Sequence, residues 1–454
     1  MTLFADTPIN CNFAAEKVKP DSKMNREILR IAIPSIVTNI TVPMLGMVDL
    51  SIAGHIGSGD GSALAIGAIS VGGLIFNMVY WLFNFLRMGS SGLTAQRFGR
   101  EDGAGERRVL RMALTVAAVC GVAIFALQRP IEWFAHWVVA PSDEVWTLAV
   151  AYFRVRIWAA PAVLALFALN GWFVGMQNSR YPMYIAIGQN LLNIAASATL
   201  VFGFGWGVQG VALGTVISQY CGLAVALVLV RRTPLHCDAA AVASAEELNV
   251  ADFFRVNRDI FLRMICIIAV TTAFTSLGAR QGDVLLAVNT LLIQLFILFS
   301  YFCDGFALAG EALVGKYVGA RRHEPKMRCV RHLFAWSGGV TLLFTVVYMV
   351  AGNVVLRILT DDASVIEAAQ PYLPWVLAVP VCGFAAFMWD GIYIGATATR
   401  QMLLALAIAT SAFFGLWFCP MPLAANHHLW LAFVAYLAVR SGYQTVVARR
   451  VLSE

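Results

Sequence analysis

The sequence predicts an all-α polytopic membrane protein whose twelve transmembrane helices form two lobes of six helices each. Three observations support this fold class: the composition, the number of long apolar segments, and an internal repeat. Of the 454 residues, 59% are hydrophobic and 13% are charged, and the mean hydropathy is +0.74. Soluble domains are roughly 45–50% apolar and about 25% charged, so this composition indicates a chain largely embedded in a bilayer.

Twelve segments are long and apolar enough to cross a membrane, which takes about 20 mostly apolar residues. The second and eighth continue to about Phe98 and Val318, so we expect them to tilt or to extend beyond the bilayer. Residues 1–24 lack the apolar core of a signal peptide, so the first segment is expected to be a true span. The twelve begin near Ile28, Ala63, Val109, Val145, Tyr181, Val208, Ile260, Val284, Arg331, Val365, Met402 and Leu429.

Lysine and arginine residues are concentrated in the loops on one side of the predicted bundle. The loops of the other side hold only Arg129, Arg280 and Arg357. Because short cytoplasmic loops carry the excess of basic residues, we expect both termini in the cytoplasm. This placement explains the net charge of +6, so we expect no nucleic-acid partner.

The chain contains two copies of one six-helix unit. Asn25-Arg26-Glu27-Ile28 opens the first span, Asn257-Arg258-Asp259-Ile260 opens the seventh, and further pairs align at a constant offset: Gly99 with Gly319, Gly171 with Gly391, Gly175 with Gly395 and Arg180 with Arg400. Two six-helix copies enter the membrane in the same direction, which predicts a pseudo-two-fold axis along the membrane normal and a cavity between the lobes.

The repeat and the polar segments also predict the domain boundaries. The cytoplasmic tail covers residues 1–24, the first lobe 25–232, the inter-lobe linker 233–256, the second lobe 257–450 and the C-terminal tail 451–454.

Four acidic residues fall well inside predicted spans: Asp49, Asp304, Glu311 and Asp390. A carboxylate inside a bilayer costs a few kcal/mol even on lenient scales, so it is usually retained for a task. Desolvation favours the neutral form of a buried carboxyl group, as reversible proton loading requires. Ion pairing is the alternative for each acid, with Arg87, Arg154 and Arg156 as available partners, and Glu311 lies near a helix end where water is close.

Asp49 is the strongest of these candidates. Its helix contains Pro34 and Pro43, which leave backbone carbonyls unpaired and create positions where the helix can bend with protonation. Amides and hydroxyls elsewhere in the first lobe are candidate hydrogen-bond partners, although each alone is more often a packing contact between helices. These are Asn170, Gln189, Asn190, Asn193, Ser197 and Thr215.

Two GxxxG motifs occupy equivalent helices, Gly171 to Gly175 and Gly391 to Gly395. Small residues at this spacing let helix backbones approach closely in lipid. Each motif follows a polar residue, Asn170 and Asp390, which close packing alone does not explain.

Other kinds of chemistry lack support in the sequence. The nine cysteines include no CxxC pair, and no HExxH, GxSxG or GxxxxGK[ST] motif occurs. The GxGxxG match at Gly205–Gly210 joins two membrane spans and has no strand before it. We therefore expect neither an enzyme nor a metal site, and no cofactor.

Several stretches together resemble the multidrug and toxic compound extrusion (MATE) transporters, and within them the DNA-damage-inducible DinF-type branch. They are NITVPMLGMVD in the first span, FLRMGSSGLTAQRFG (Phe85 to Gly99), NRDIFLR (Asn257 to Arg263), WDGIYIGAT (Trp389 to Thr397) and NHHLWLA (Asn426 to Ala432). The resemblance covers about Asn25 to Arg450.

The resemblance implies a monomeric secondary antiporter in the cytoplasmic (inner) membrane of a bacterium. Such transporters lie in a lipid bilayer and export bulky, often cationic and amphipathic compounds in exchange for protons or sodium. It implies that Asp49 couples transport to protons, with a network on Asn170, Asn193 and Thr215. The family usually has a second acid where this chain has Ser197, which argues against a two-carboxylate sodium site in the first lobe.

Alternatives to proton-coupled drug export stay open at this stage. Asp390 resembles a position that helps to bind sodium in another branch, so Asp304, Glu311 and Asp390 form a candidate cation or substrate site. A flippase for lipid-linked precursors shares the twelve-helix core but tends to have a strongly cationic cavity. Here the intramembrane cations are expected to be few: Arg87 and, in addition, Arg154 and Arg156.

Overall fold

The fold is entirely helical over the residues that this computed structural model describes, which are 20–56, 60–139, 141–236, 250–360 and 362–453. The first lobe contains α1 (Pro20–Ala53), α2 (Asp60–Leu82), α3 (Phe85–Gly99), α4 (Gly103–Ala126), α5 (Gln128–Val139), α6 (Asp143–Arg156), α7 (Ala160–Gly175), α8 (Arg180–Ala198) and α9 (Gly207–Arg232). The second lobe contains α10 (Val250–Ala279), α11 (Asp283–Gly319), α12 (His323–Leu359), α13 (Ala363–Ala369), α14 (Leu373–Gly395), α15 (Thr399–Phe418) and α16 (Ala425–Ser453).

Twelve helical segments of the described chain are long and apolar enough to cross a membrane, as the sequence predicted. The predicted second span is interrupted: α2 ends at Leu82, and α3 begins at Phe85 and continues to Gly99. The eighth span is the single helix α11 of 37 residues. At 1.5 Å per residue such a helix exceeds the thickness of a bilayer, so it must tilt or extend beyond it.

Three helices cross the predicted domain boundaries. Helix α1 begins at Pro20, five residues before the predicted lobe boundary, and α10 begins at Val250, inside the predicted linker. Helix α16 continues to Ser453, through the predicted tail. Residues 1–19 of the predicted N-terminal tail and residues 237–249 of the predicted linker lie outside the described part of the chain.

Helix α5 is an addition that the sequence reading did not include. It has 12 residues, too few to span a bilayer, and exposes Trp133, Phe134 and Trp137. Its Glu132 is buried and accepts hydrogen bonds from Arg154 on α6. Aromatic residues on the exposed face of a short helix suit the region between water and lipid tails.

The predicted pseudo-two-fold axis passes between α3 and α11. A Cβ atom on Gly99 would lie 2.0 Å from the carbonyl oxygen of Lys316, and one on Gly319 would lie 2.0 Å from that of Gln96. Residues 96 and 316 are repeat equivalents, as are residues 99 and 319. The two-fold rotation that relates the repeats therefore exchanges these two contacts. A contact of this reciprocal kind is the signature of two-fold symmetry.

The two GxxxG motifs make equivalent helix contacts within their own lobes. A Cβ on Gly171 of α7 would lie 2.1 Å from the carbonyl oxygen of Arg87 on α3, and one on Gly391 of α14 would lie 2.1 Å from that of Ala307 on α11. Residues 87 and 307 are again repeat equivalents. These glycines therefore allow backbone contact that any side chain would prevent.

The lobes meet closely at one end of the bundle, which we call the terminal face because α1 begins there at Pro20 and α16 ends there. Gln96 Nε2 donates to Gly395 O (2.9 Å), and Gln177 Nε2 donates to Ala312 O (2.8 Å). Tyr317 OH also donates to the Glu27 carboxylate (3.1 Å). These contacts close the interface between the lobes at the terminal face.

Candidate functional site

Asp49 lies near the end of α1 and is 5% exposed. Its Oδ1 atom is buried and has no hydrogen-bond partner within the described chain. An unpartnered buried carboxylate oxygen is rare because its desolvation is not offset by a hydrogen bond. Burial of Asp49 as a carboxylate is therefore costly, and its Oδ1 atom can still accept a hydrogen bond or a proton.

Helix α1 stays continuous through both of its internal prolines. Pro34 cannot donate to the carbonyl of Arg30, and the hydroxyl of Ser179 compensates by donating to Ile31 O (3.0 Å) and to Arg30 O (3.4 Å). Near Pro43, Asn190 Nδ2 donates to Thr41 O (2.9 Å). Ser179 thus contacts the carbonyl that Pro34 leaves without its helical donor, whereas Asn190 bonds α1 beside Pro43 but not at the carbonyl of Asn39, which Pro43 leaves without its donor.

Arg156 on α6 is the basic group that interacts electrostatically with Asp49. It donates to the hydroxyl of Tyr152, one turn earlier, and its guanidinium carbon lies 5.1 Å from the ring centroid of Phe76. The hydroxyl of Tyr80 is also buried in this region, without a hydrogen-bond partner among the described residues. The sequence predicted Arg156 as an ion-pair partner and an intramembrane cation, but Tyr80 and Tyr152 were not predicted because tyrosines in apolar helices usually belong to the core.

The predicted polar network of the first lobe divides into separate groups. Asn193 Nδ2 donates to Thr215 Oγ1 (3.0 Å), and Ser197 Oγ lies 3.5 Å from Asn193 Oδ1, so these three residues form one cluster between α8 and α9. Gln189 pairs instead with Gln219 (3.0 Å), and Asn190 bonds the α1 backbone. The Oδ1 atom of Asn170 is buried without a partner in the described chain.

Asp390 in the second lobe is 6% exposed and lies at the centre of a charge cluster between three helices. Arg263 on α10 and Arg440 on α16 both donate to its Oδ2 atom. Gln444, also on α16, donates to Oδ1 (2.8 Å). Both oxygens of Asp390 are therefore occupied by protein donors.

The other two acids of the second lobe lie on α11, close to the lobe interface. Glu311 is 2% exposed, and its Oε2 lies 3.9 Å from Nη1 of Arg87 on α3. Its expected access to water at the helix end is wrong for this structure, because the packing of α3 covers it. Asp304 is half-buried and interacts electrostatically with Arg87, Arg263 and Arg440.

The expectation of few intramembrane cations is also wrong. Arg263 and Arg440 are 3% and 6% exposed and lie within membrane-spanning helices. Arg154 contributes no cation to the interior, since its side chain is 48% exposed and pairs with Glu132. Both buried arginines fall inside apolar runs that the sequence reading treated as spans, so their position in those runs was the signal that could have identified them.

The described residues contain no group of three or more histidine, cysteine, aspartate or glutamate side chains placed to hold a metal ion. Asp304, Glu311 and Asp390 are thus not gathered into one set of ligands. A cation site needs several oxygens converging on one point. The arrangement of these acids favours ion pairing with arginine.

Twelve membrane-spanning helices in two pseudo-symmetric lobes, with buried charges in each lobe, define a multi-pass membrane transporter. The MatE family model matches residues 34–199 and 260–421. The chain belongs to the MatE family, and the expected resemblance is confirmed.

Relatives and solved structures agree with this assignment. The chain is 36% identical to DNA damage-inducible protein F of Escherichia coli, over 94% of this chain and 92% of that protein. It is 24% identical to a probable multidrug resistance protein NorM of Deinococcus radiodurans, over 85% of each chain. A multidrug resistance MATE family transporter of the MOP superfamily, solved in an outward-facing conformation, shares the fold with a TM-score of 0.83 at 19% identity, over 96% of this chain and 98% of that one.

Proposed function

We propose that this transporter is a proton-coupled multidrug antiporter that exports amphipathic, often cationic compounds by alternating access. Asp49 is the proton-coupling residue in this proposal. The multidrug assignment is supported by family membership and by the probable multidrug resistance protein of Deinococcus radiodurans, which this chain matches over most of its length.

The observation that carries the proposal is the contrast between Asp49 and Asp390. Asp49 has a buried oxygen with no hydrogen-bond partner in the described chain, so proton binding there does not have to break an existing contact. Asp390 accepts from two arginines and a glutamine, so neither a proton nor a metal cation finds a free oxygen on it. The free oxygen of Asp49 and the fully occupied oxygens of Asp390 both favour proton coupling through the first lobe.

The charge bias of the loops and the contacts between the lobes support the following transport cycle. If the terminal face is cytoplasmic, as the basic loops predict, the described state is closed towards the cytoplasm and drug leaves outward. A proton that enters from outside and binds Asp49 then lowers the affinity for cationic drug. Proton and drug need only bind the two states with different affinities for their fluxes to be coupled.

Sodium coupling is the second candidate, and the structure supports it less. Ser197 replaces the second acid of the first lobe, and its hydroxyl lies 3.4 Å from Val211 O and 3.5 Å from Asn193 Oδ1. In the second lobe, two guanidinium groups already hold the Asp390 carboxylate. Among the described residues, no group of three or more histidine, cysteine or acidic side chains is placed to hold a cation.

Transport of an anionic lipid headgroup is the third candidate. The two buried arginines of the second lobe favour it. Arg263 and Arg440 each have a buried Nε atom without a partner in the described chain. Their charges are offset by Asp390 and by the nearby Asp304, so the cluster is not strongly cationic. We therefore place drug export before lipid transport.

The experiment is dye efflux by the reconstituted protein, with proton and sodium gradients imposed separately. We expect a proton gradient alone to drive export of a fluorescent cation by the wild type and Asp49→Asn to reduce export to the leak of protein-free vesicles. If Asp49→Asn still exports the dye against its gradient under an imposed pH difference, Asp49 is not the coupling residue.

Asp304→Asn is the matched control, because it removes an in-span carboxyl group from the other lobe by the same change. We expect proton-driven export to persist in Asp304→Asn. Loss of export in Asp304→Asn together with retention in Asp49→Asn would move the coupling site to the second lobe. Export driven by sodium alone would identify the second candidate.

A further inference from the structure

A cavity of about 570 Å³ opens between the lobes at the terminal face, away from Asp49 and Asp390. The first lobe contributes residues from the end of α3, and the second lobe contributes the first turns of α10 and α15. Four arginines line it, two from each lobe: Arg97, Arg100, Arg255 and Arg400. The proposed transport mechanism does not use this cavity.

The field inside the cavity is positive. Only two acids line it, Asp252 and Asp259, so the lining carries a formal charge of +2. Asp259 is also neutralised by Arg258 (3.0 Å), which is not part of the lining, and accepts a hydrogen bond from Thr399 (3.2 Å). Two of the four arginines also have acidic partners: Arg97 is paired with Asp102 (2.9 Å), outside the lining, and Arg255 with Asp252 (3.3 Å). Because Asp102 and Arg258 offset each other, the excess of two positive charges remains, and it favours an anion in the cavity.

The start of α15 adds backbone donors to the same cavity. Thr399, Arg400 and Gln401 form its first turn and all line the cavity, and no side chain caps this helix because residue 398 is alanine. In the first lobe the equivalent position is Asn178, whose Oδ1 accepts from the backbone N–H groups of Arg180 (3.2 Å) and Tyr181 (3.4 Å). The two repeats thus differ in that the second leaves its helix start open towards the arginines.

We propose that this cavity binds a phosphate-bearing anion that clamps the two lobes together at the terminal face. Guanidinium groups match phosphate oxygens in geometry, and an uncapped helix start supplies N–H donors and a favourable dipole. The cavity is within the size range of small-ligand sites. Because its arginines come from both lobes, the anion binds the state in which the terminal face is closed and thereby favours that state.

The phosphate group can come from a phospholipid headgroup or from a free phosphate compound. Basic pockets between transmembrane helices on the cytoplasmic side are known to accept lipid phosphates. The recognised chemistry is the same in both cases, so the two sources are separated by the probes. We choose inorganic phosphate, water-soluble dihexanoyl phosphatidylglycerol, and dihexanoyl phosphatidylcholine, whose cationic headgroup opposes the field of the cavity.

The experiment uses the full-length protein in neutral detergent and does not depend on transport. Hydrogen exchange is followed in peptides covering residues 93–101 and 397–405 while each probe is titrated. We expect phosphate or phosphatidylglycerol to protect both peptides, one from each lobe, and phosphatidylcholine to have a much weaker effect. Protection in one lobe only, or by none of the phosphate probes, would overturn the clamp.

Two variants and one control separate a specific site from general charge attraction. We expect Arg400→Gln, and independently Arg255→Gln, to weaken binding about tenfold, as for loss of one charge-assisted contact. Both side chains are exposed, so both variants are expected to fold. The control Arg180→Gln changes the exposed repeat equivalent of Arg400, outside the cavity lining, and should leave binding unchanged.

Each remaining outcome decides the proposal. Equal weakening by Arg180→Gln and Arg400→Gln would show attraction to the whole basic face and overturn the site. Binding of phosphatidylglycerol but not of inorganic phosphate, with the expected variant pattern, would identify a lipid headgroup site. Binding of both would show that the phosphate group itself is recognised. Because no drug or gradient is present, failure here leaves the proton-coupling proposal untouched.

Discussion

Asp49 in the first lobe and Asp390 in the second are buried to nearly the same extent, 5% and 6% exposed, yet their surroundings differ. Asp49 has an oxygen without a hydrogen-bond partner in the described chain and shares its region with one arginine. Asp390 is held by two arginines and a glutamine. Similar burial therefore does not imply a similar task, because the partners decide which carboxyl group can change its protonation.

The difference arises where the two repeats diverged. The residue equivalent to Asp390 in the first lobe is Asn170, which is neutral. Arg263 follows Asn257 by six residues, and the residue six positions after the equivalent Asn25 is Ile31. The second lobe thus has a buried ion cluster where the first lobe has neutral residues at the equivalent positions. The contrast therefore concerns Asp49 and Asp390 themselves, since Glu311 in the second lobe also has a buried oxygen, Oε1, without a partner in the described chain.

The largest expected effect is the difference in stability between Asp390→Asn and Asp49→Asn. Asp390→Asn leaves two buried guanidinium groups without their counter-ion, which costs about 3–5 kcal/mol in comparable buried pairs. Asp49→Asn removes no hydrogen bond of the Oδ1 atom and should change stability by less than about 1 kcal/mol. Thermal unfolding of both variants in the same detergent measures the difference.

A double variant checks the cause of that loss. Asp390→Asn combined with Arg440→Met removes one of the unpaired cations and should be more stable than Asp390→Asn alone, as expected for coupled residues. If Asp49→Asn destabilises the protein as much as Asp390→Asn does, Asp49 is a structural ion-pair residue like its counterpart. In that case loss of transport in Asp49→Asn would not show proton coupling.

The next effect concerns Ser197, at the position where the resemblance to MATE transporters implies a second acid. Ser197 is fully buried, and a Cβ atom on Gly214 would lie 2.2 Å from its hydroxyl oxygen, so α9 leaves no space for a larger side chain. We expect Ser197→Asp to destabilise the protein by about 1–3 kcal/mol through overpacking. Chemical unfolding measures the change.

Ser197→Ala is the control, and we expect it to cost less than about 1 kcal/mol because its hydrogen bonds are long. Should Ser197→Asp prove as stable as the wild type and make dye efflux respond to sodium, the first lobe would be able to form a two-carboxylate cation site. That result would show that the first lobe can couple to sodium as well as to protons once a second carboxylate is present.

Features that depend on regular sequence patterns could be predicted from the sequence alone. Twelve apolar segments predicted the twelve spans, and the constant offset between Gly99 and Gly319 predicted the symmetry that their reciprocal contacts show. The burial of Asp49 followed from its position in an apolar run. Each of these features depends on residues close in sequence or on the repeat.

Features that depend on contacts between distant helices could not be predicted. The partners of Asp390 lie 127 and 50 residues away in sequence, on helices whose rotation no local pattern fixes. The grouping of Asn193 with Ser197 and Thr215, and of Gln189 with Gln219, likewise depends on how α8 packs against α9. The break between α2 and α3 falls at Phe83 and Asn84. Neither residue is a proline or a glycine, so the sequence carries no signal for it.

The smallest expected effect is a difference in the free energy of unfolding between two glutamine variants, one in each lobe. Gln444 is fully buried and donates to the charged Asp390 (2.8 Å), whereas the half-buried Gln189 donates to the neutral Gln219 (3.0 Å). Hydrogen bonds to charged groups contribute about 1.5–3 kcal/mol and neutral ones about 0.5–1.5 kcal/mol. We therefore expect Gln444→Leu to lower the free energy of unfolding by more than Gln189→Leu does, as measured by chemical denaturation. Equal losses would mean that the two arginines already satisfy Asp390, and that the glutamine adds only packing to the charge cluster of the second lobe.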